Sequence, residues 1–296
     1  MKILLVINPT SGGGKGNRVG NEVRELCNKL QLDFEYVLEN SLESTLTNTS
    51  QQLANEKFDV LCAVGGDGLI HDLLPLLVKD QIPLLIFPAG TGNDFARTVH
   101  HFGRTHQKIL RSLKELPEIK SHDVDIGVVK SSGESNPFVQ IISTGFDSLV
   151  NERANNFRLI KGKFKYIVAV LLEIAKCKAI PFEISVDGVT TKVDAMLVCV
   201  ANGSTYGGGM KIVPHAKNDD DLLELMYVAK VSALRLLFVF PRVFFGAHVN
   251  HPKVHFMSGK EIRLAAPTIA YGDGERIGPL PIHAKLSEQK IRVVTI

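Results

Sequence analysis

Three glycine-rich segments hold most of the residues that could do chemistry. The first is Asn8-Pro9-Thr10-Ser11-Gly12-Gly13-Gly14-Lys15. Glycines let successive backbone N–H groups converge on an anion, and a helix starting there adds a favourable dipole. Thr10, Ser11 and Lys15 add side-chain donors. This is not a Walker A loop. Lys15 is followed by Gly16 rather than Ser or Thr, and no glycine stands at the required spacing before Gly14. The second segment is Gly65-Gly66-Asp67-Gly68. Paired glycines permit close backbone approach to a ligand. A carboxylate beside a phosphate cradle repels the phosphate unless a cation intervenes. Mg²⁺ removes the conflict, because it takes carboxylate, water and phosphate oxygens together. The third segment is Pro88-Ala89-Gly90-Thr91-Gly92-Asn93-Asp94. Thr91 and Asn93 are neutral donors for phosphate or ribose oxygens, and Asp94 can cap a helix or help to hold a metal. No segment contains GxGxxG, which weakens a dinucleotide reading. Alone, each is also an ordinary turn, with Asp67 as a helix N-cap. In series, they would line one crevice for a polyphosphate.

The elements needed to position these loops are legible. Residues 3–7, 60–64 and 84–87 are continuous apolar runs, as expected for strands covered on both faces, and residues 33–38 read as another strand. Helical spacing follows in Val19, Val23, Leu26, Cys27 and Leu30, then over 43–55 and 69–78. Pro75 is expected to kink or shorten the last of these. Alternating strand and helix predict an open, mostly parallel sheet, whose ligands sit at the carboxyl ends of the strands. All three glycine-rich segments fall at such ends. From about residue 123 the texture changes to short alternating stretches at 125–129, 138–142, 182–186, 195–200, 224–228, 261–264 and 290–294. These predict an antiparallel sandwich interrupted by helices near 163–176 and 232–245.

Bulk properties narrow the function. The 296 residues suit one large or two medium domains, and 45% hydrophobic with 22% charged residues excludes wholesale disorder. Thirty-four Lys+Arg against 31 Asp+Glu give a net charge of +3, too even to argue for nucleic acid. Cys27, Cys62, Cys177 and Cys199 are far apart in apolar contexts, which reads as buried thiols in a reducing compartment. The N-terminal apolar run ends at Asn8-Pro9, too short for a secretory signal. The apolar stretch 231–247 is broken by Arg235, Pro241 and Arg242. The expectation is a soluble, cytoplasmic protein. The ten histidines show no metal-ligand spacing and read as surface or core residues.

Together, Asn8-Pro9-Thr10-Ser11-Gly12, Gly65-Gly66-Asp67-Gly68 and Gly90-Thr91-Gly92-Asn93-Asp94 resemble the diacylglycerol kinase catalytic domain family, in its bacterial lipid kinase branch. The resemblance continues through the stretch from Asn202 to Gly209, Pro214-His215-Ala216, Asp219-Asp220, His251-Pro252-Lys253-Val254 and Asp273-Gly274-Glu275, covering essentially the whole chain. It implies an α/β ATP-binding domain over 1–124 and a β-sandwich lipid-substrate domain over 125–287. The active site would lie in the cleft, and the tail, about 288–296, would pack back on the first domain. It further implies transfer of the γ-phosphoryl group of ATP to the hydroxyl of diacylglycerol or a related lipid, in phospholipid metabolism. Asn8, Pro9, Thr10, Ser11, Gly12, Gly65, Gly66, Asp67, Gly68, Asp72, Thr91, Asn93 and Asp94 would bind the nucleotide, with Asp67 organising catalytic Mg²⁺. Asp273 or Glu275 would be the general base. The carbonyls of Lys217 and Leu222 with the Asp220 carboxylate would hold a structural Mg²⁺.

Where the family carries Thr-x-Asn-Glu, this chain has Leu69, His71 and Asp72. Where it often has Asp-Asp-Gly, the chain has Asp221, which lacks glycine's freedom at positive φ. A Thr usual near the second strand end is Leu38. A lipid substrate implies contact with a membrane surface. The basic and apolar stretch 153–165 suits anionic headgroups, and equally a solvated helix start. Phe238, Phe240, Phe244 and Phe245 would be core, or the wall of a lipid pocket. A homodimer is an open expectation. The competing readings are an NAD-kinase-like enzyme, since NAD kinases also carry Gly-Gly-Asp-Gly, and a non-catalytic nucleotide-binding module. Read without the resemblance, Asp273-Gly274-Glu275 is a β-turn between strands.

Overall fold

A computed structural model describes residues 1–115, 119–156, 163–174 and 177–295. Its first elements are β1 (Lys2–Ile7), α1 (Ser11–Lys29), β2 (Asp33–Leu38), α2 (Leu42–Asn55), β3 (Val60–Gly65), α3 (Asp67–Asp80), β4 (Leu84–Pro88), α4 (Asp94–Thr98), α5 (His106–Glu115) and β5 (Ser121–Val124). Next come β6 (Gly127–Ser131), β7 (Glu134–Phe138), β8 (Ile141–Gly145), α6 (Phe146–Asn156), α7 (Lys163–Ile174), β9 (Ile180–Val186), β10 (Val189–Ala201) and β11 (Leu223–Ala229). They are followed by α8 (Ala233–Val239), a 3-10 helix (Phe240–Phe245), β12 (Val254–Gly259), β13 (Glu261–Ala265), β14 (Ile269–Gly272), β15 (Glu275–Pro279), β16 (Ile282–Leu286) and β17 (Ile291–Val294). The chain divides into two compact units, Met1–Val124 with Gln289–Ile296, and Asp125–Glu288.

The first unit is a six-stranded sheet in the order β2-β1-β3-β4-β17-β5. β1 through β4 pair in parallel, and β17 runs parallel to β4 and antiparallel to β5. Ile3, Leu4, Leu5 and Val6 are fully buried, as are Val60 to Val64, because helices cover both faces. α1 buries Val19, Val23 and Cys27. Gly20 lets it lie close on β1: a Cβ there would stand 2.6 Å from Ile7 Cγ2. α3 is not shortened at Pro75 and continues to Asp80. The ring faces solvent, and buried Leu73, Leu74 and Leu77 hold the helix where one N–H bond is lost. β17 meets β4 at a single paired position, Val293 with Leu84. Buried His101 bridges the two strands further along. Its Nδ1 accepts from Ile86 N at 3.2 Å, and its Nε2 donates to Val294 O at 2.8 Å. That fixes one neutral tautomer, and burial pushes the imidazole down to about 4.

The second unit is antiparallel, in the order β15-β14-β8-β10-β9-β13-β16-β6-β7, with β11 and β12 continuing from β10. Phe138, Ile142, Phe182, Ile184, Val198, Leu225 and Ile262 share its main core. Two-residue turns with both φ positive join its hairpins at Ser132-Gly133, Asp187-Gly188 and Asp273-Gly274, the geometry that matches strand twist. The strand expected over 138–142 is broken, since β7 ends at Phe138 and β8 begins at Ile141. The helix expected over 232–245 divides at Pro241, whose missing N–H ends the α-helical ladder and leaves a 3-10 turn. No helix among the described residues is long and apolar enough to cross a membrane.

Candidate functional site

In the first unit the three glycine-rich loops stand at the carboxyl ends of β1, β3 and β4 and touch one another. Gly12, Gly13 and Gly14 take φ of 58°, 70° and 95°, left-handed conformations that side chains disfavour. A Cβ on Gly12 would lie 2.3 Å from Ala89 O, and one on Gly90 would lie 2.5 Å from Gly66 Cα. The loops therefore approach at backbone distance. The Asn8 side chain folds the first of them: its Oδ1 accepts from Thr10 N at 3.1 Å and Thr10 Oγ1 at 2.9 Å. Thr10, Gly12 to Gly14 and Lys15 are exposed, and Pro9 and Ser11 are half-buried.

Asp67 opens α3, with Gly66 at the N-cap and Gly68 exposed beside it. Its Oδ1 accepts from Phe95 N at 3.0 Å and so tethers the third loop. Its Oδ2 and the Asp94 Oδ2 lie 2.8 and 3.2 Å from where a Cβ of Gly92 would be. Two carboxylates facing one spot, backed by a glycine, suit Mg²⁺, which binds one or two protein carboxylates and completes its shell with water and phosphate oxygens. Arg97 balances part of that charge, its Nε standing 4.0 Å from Asp94 Oδ1. Asn93 braces the third loop. Its Oδ1 accepts from Gly90 N and its Nδ2 donates to Gly90 O, both at 2.8 Å, so the side chain clamps the loop. Thr91 is exposed beside it, and Asp72 is half-buried one turn along α3 from Gly68. Leu69, in place of a hydroxyl, is buried under Gly65. His71 Nδ1 is buried with no hydrogen-bond partner among the described residues.

In the second unit, Asp273 and Glu275 part company. Asp273, at φ 51°, accepts from Gln140 N and Ile141 N through Oδ1, both at 3.0 Å, and from Val139 N through Oδ2 at 2.7 Å. Those amides span the break between β7 and β8, with Ile141 the first residue of β8. Asp187 has the same task at its own hairpin, accepting from Lys260 N and Glu261 N. Glu275, two residues beyond Asp273, is exposed.

The loop offered as a metal site is tied at both ends by Asp125. Its N–H donates to Asn218 O at 2.7 Å and its Oδ2 accepts from Asp221 N at 2.9 Å. Asp221 takes φ 59° without being glycine, which Asp tolerates better than most residues. Lys217 and Asp220 are exposed and Leu222 half-buried, with Leu222 N donating to Asp220 Oδ1 at 3.2 Å.

Sequence reasoning missed a second acid. Asp147 is buried and lines a mostly apolar pocket with Phe146, Met226, Leu236, Phe240 and Val243. Tyr206 O–H donates to its Oδ1 at 2.6 Å and Asn151 Nδ2 to its Oδ2 at 3.1 Å. Burial pushes the carboxyl up, opposed by bonds from Ser143, Tyr206 and Asn151. The only sequence signal was an acid among the apolar residues that follow Gly145. Phe240 alone of the four phenylalanines lines this pocket. Phe238, Phe244 and Phe245 are exposed, not core. Of the basic stretch, Arg153 is engaged by Glu173. Phe157, Arg158, Leu159, Ile160 and Lys161 lie outside the described residues, as do the side chains of Lys163, Phe164 and Lys165.

Residues 2–129 match the diacylglycerol kinase catalytic domain, and residues 140–295 match the YegS C-terminal NAD kinase beta sandwich-like domain. A diacylglycerol kinase of Mycobacterium tuberculosis is 31% identical over 283 residues, covering 95% of this chain and 90% of that protein. One from Staphylococcus saprophyticus is 28% identical, covering 98% and 94%. A crystal structure of a diacylglycerol kinase from Bacillus anthracis shares the fold, with a TM-score of 0.70 at 20% identity over 100% of this chain and 97% of that one. The chain belongs to the diacylglycerol kinase family, kinases that phosphorylate an alcohol acceptor.

Proposed function

We propose that the protein is an ATP- and Mg²⁺-dependent lipid kinase that phosphorylates the hydroxyl of diacylglycerol or a related lipid at a membrane surface. The observation that carries this reading is the contact of three glycine loops around Asp67, with Asp94 facing the same spot. Backbone N–H groups of Gly12 and Gly13 would cradle the phosphates, and Thr91 would add a donor. Asp67 with Asp94 would hold Mg²⁺, which supplies charge neutralisation on the transferring group. Asp220 with the carbonyls of Lys217 and Leu222 would hold a second, structural ion. Glu275 is the base of choice, because both oxygens of Asp273 already accept backbone N–H groups. The lipid oxygen bonds to the γ-phosphorus, the bridging P–O bond breaks and ADP leaves, while Glu275 takes the hydroxyl proton.

The test is incubation with labelled ATP, Mg²⁺ and mixed lipid micelles, followed by organic extraction. Label in the organic phase, abolished by Asp67→Ala, is the expected result. Label transferred to NAD instead, or nucleotide binding without transfer to any acceptor, would overturn the proposal.

A further inference from the structure

α8 and the 3-10 helix after it are apolar on two sides. Inward, Leu236, Val239, Phe240 and Val243 line the pocket that Asp147 also lines, with Arg235 at its edge toward solvent. Outward, Phe245 is 82% exposed, Phe238 68% and Leu234 64%, with Leu237 and Phe244 exposed beside them. A helix with apolar residues all round is normally buried, and large apolar patches left open on a soluble surface mark docking sites. Charge points to the occupant. The 21 residues from Lys230 to Asn250 contain Lys230, Arg235 and Arg242 and no carboxylate. Arg235 and Arg242 are exposed and make no ion pair among the described residues. A second copy of the chain would set these cations against themselves. An acidic protein surface would satisfy the arginines and leave the phenylalanines unmatched.

We infer that the segment of α8 and the 3-10 helix is a bilayer-docking element that inserts Phe238 and Phe245 among acyl chains and sets Arg235 and Arg242 against anionic headgroups. This combination of apolar insertion with a basic rim is what interfacial helices use. The inference rests on the lipid-kinase reading for its biological sense, and its physical content stands apart from that reading.

The experiment is vesicle co-sedimentation of the full chain with phosphatidylcholine vesicles, with and without phosphatidylglycerol. Phe238→Ser with Phe245→Ser should lower partitioning on both compositions by about 100-fold, the scale of two large apolar side chains withheld from the acyl region. Arg235→Gln with Arg242→Gln should lower it about 30-fold on the anionic vesicles only. The phenylalanine variant should still phosphorylate water-soluble dihexanoylglycerol at the wild-type rate, which also shows that it is folded. Undiminished vesicle binding by the phenylalanine variant, or no vesicle binding by the wild type, overturns the inference. So does a wild-type dimer, detected by sedimentation velocity, that the same substitutions dissolve. If vesicle binding depends on these residues while no lipid is ever phosphorylated, the docking element stands and the kinase reading falls.

Discussion

Replacing Asp273 with Asn should cost stability and spare turnover, whereas replacing Glu275 with Gln should do the reverse. The structure sets the sizes. Asn keeps an oxygen for Gln140 N and Ile141 N, and it tolerates the left-handed turn that Asp273 occupies at φ 51°. It loses the bond to Val139 N, because its amide nitrogen turns donor against donor there. Val139 is only 3% exposed, so water cannot replace the partner. One orphaned buried N–H costs about 1–3 kcal/mol, and Asp273→Asn should shift the urea midpoint by that amount. Asp273→Ala would lose all three bonds at a positive φ, a cost comparable with the whole stability of a typical domain at roughly 5–15 kcal/mol, so Asn is the informative change. Glu275 is exposed, and Glu275→Gln should stay within about 0.5 kcal/mol of wild type. Removing a general base should cut kcat by about 10²–10⁴-fold with KM little changed. Urea unfolding followed by circular dichroism gives the first quantity, and phosphoryl transfer to micellar lipid the second. The reasoning is refuted if Asp273→Asn unfolds like wild type yet transfers no phosphate, or if Glu275→Gln keeps full kcat.

Other perturbations test the frame around the loops. His101 has its pKa depressed in the fold from 6.5 to about 4, so the unfolded chain takes up its proton first as pH falls. Its contribution, about 3 kcal/mol, is complete above pH ~6.5 and lost progressively toward pH ~4; unfolding of His101→Gln, which can keep both hydrogen bonds without titrating, should lose that pH slope. Gly90→Ala places a methyl 2.5 Å from Gly66 Cα and should weaken binding of a non-hydrolysable ATP analogue by at least tenfold in calorimetry, a scale set by the ~1.4 kcal/mol that one such misfit removes. Tyr206→Phe withdraws the donor from buried Asp147 Oδ1 and should lower thermal stability by about 1–3 kcal/mol.

Features set by short-range pattern were legible in the sequence. Continuous apolar runs gave β1, β3 and β4, and the glycines marked where each strand stops. The loops were legible because positive φ at Gly12 to Gly14 and close approach at Gly66 and Gly90 leave few other residue types possible. The commitment of Asp273 to backbone amides was not, because those three amides lie 132 to 134 residues away. Residue type says only that a carboxylate can accept N–H groups, take a proton or hold a metal. The fold decides by spending one set of lone pairs before a substrate arrives. The bonds from Asn93 to Gly90 were not legible either, since residue type does not say which partner an amide takes.

The phenylalanines carry the converse lesson. An apolar side chain is assigned to the core because burial gains about 25 cal/mol per Å², and that rule says nothing about which apolar environment receives it. Leu236 and Val243 obey it inside the protein. Phe238 and Phe245, on the same segment, do not. A sequence that keeps two large rings in water also keeps Asp and Glu out of the surrounding 21 residues, although carboxylates are the usual way to solubilise such a surface. Misplaced core residues would need no such exclusion. A surface that meets anionic headgroups would, because each carboxylate there opposes the attraction that brings the rings to the acyl chains.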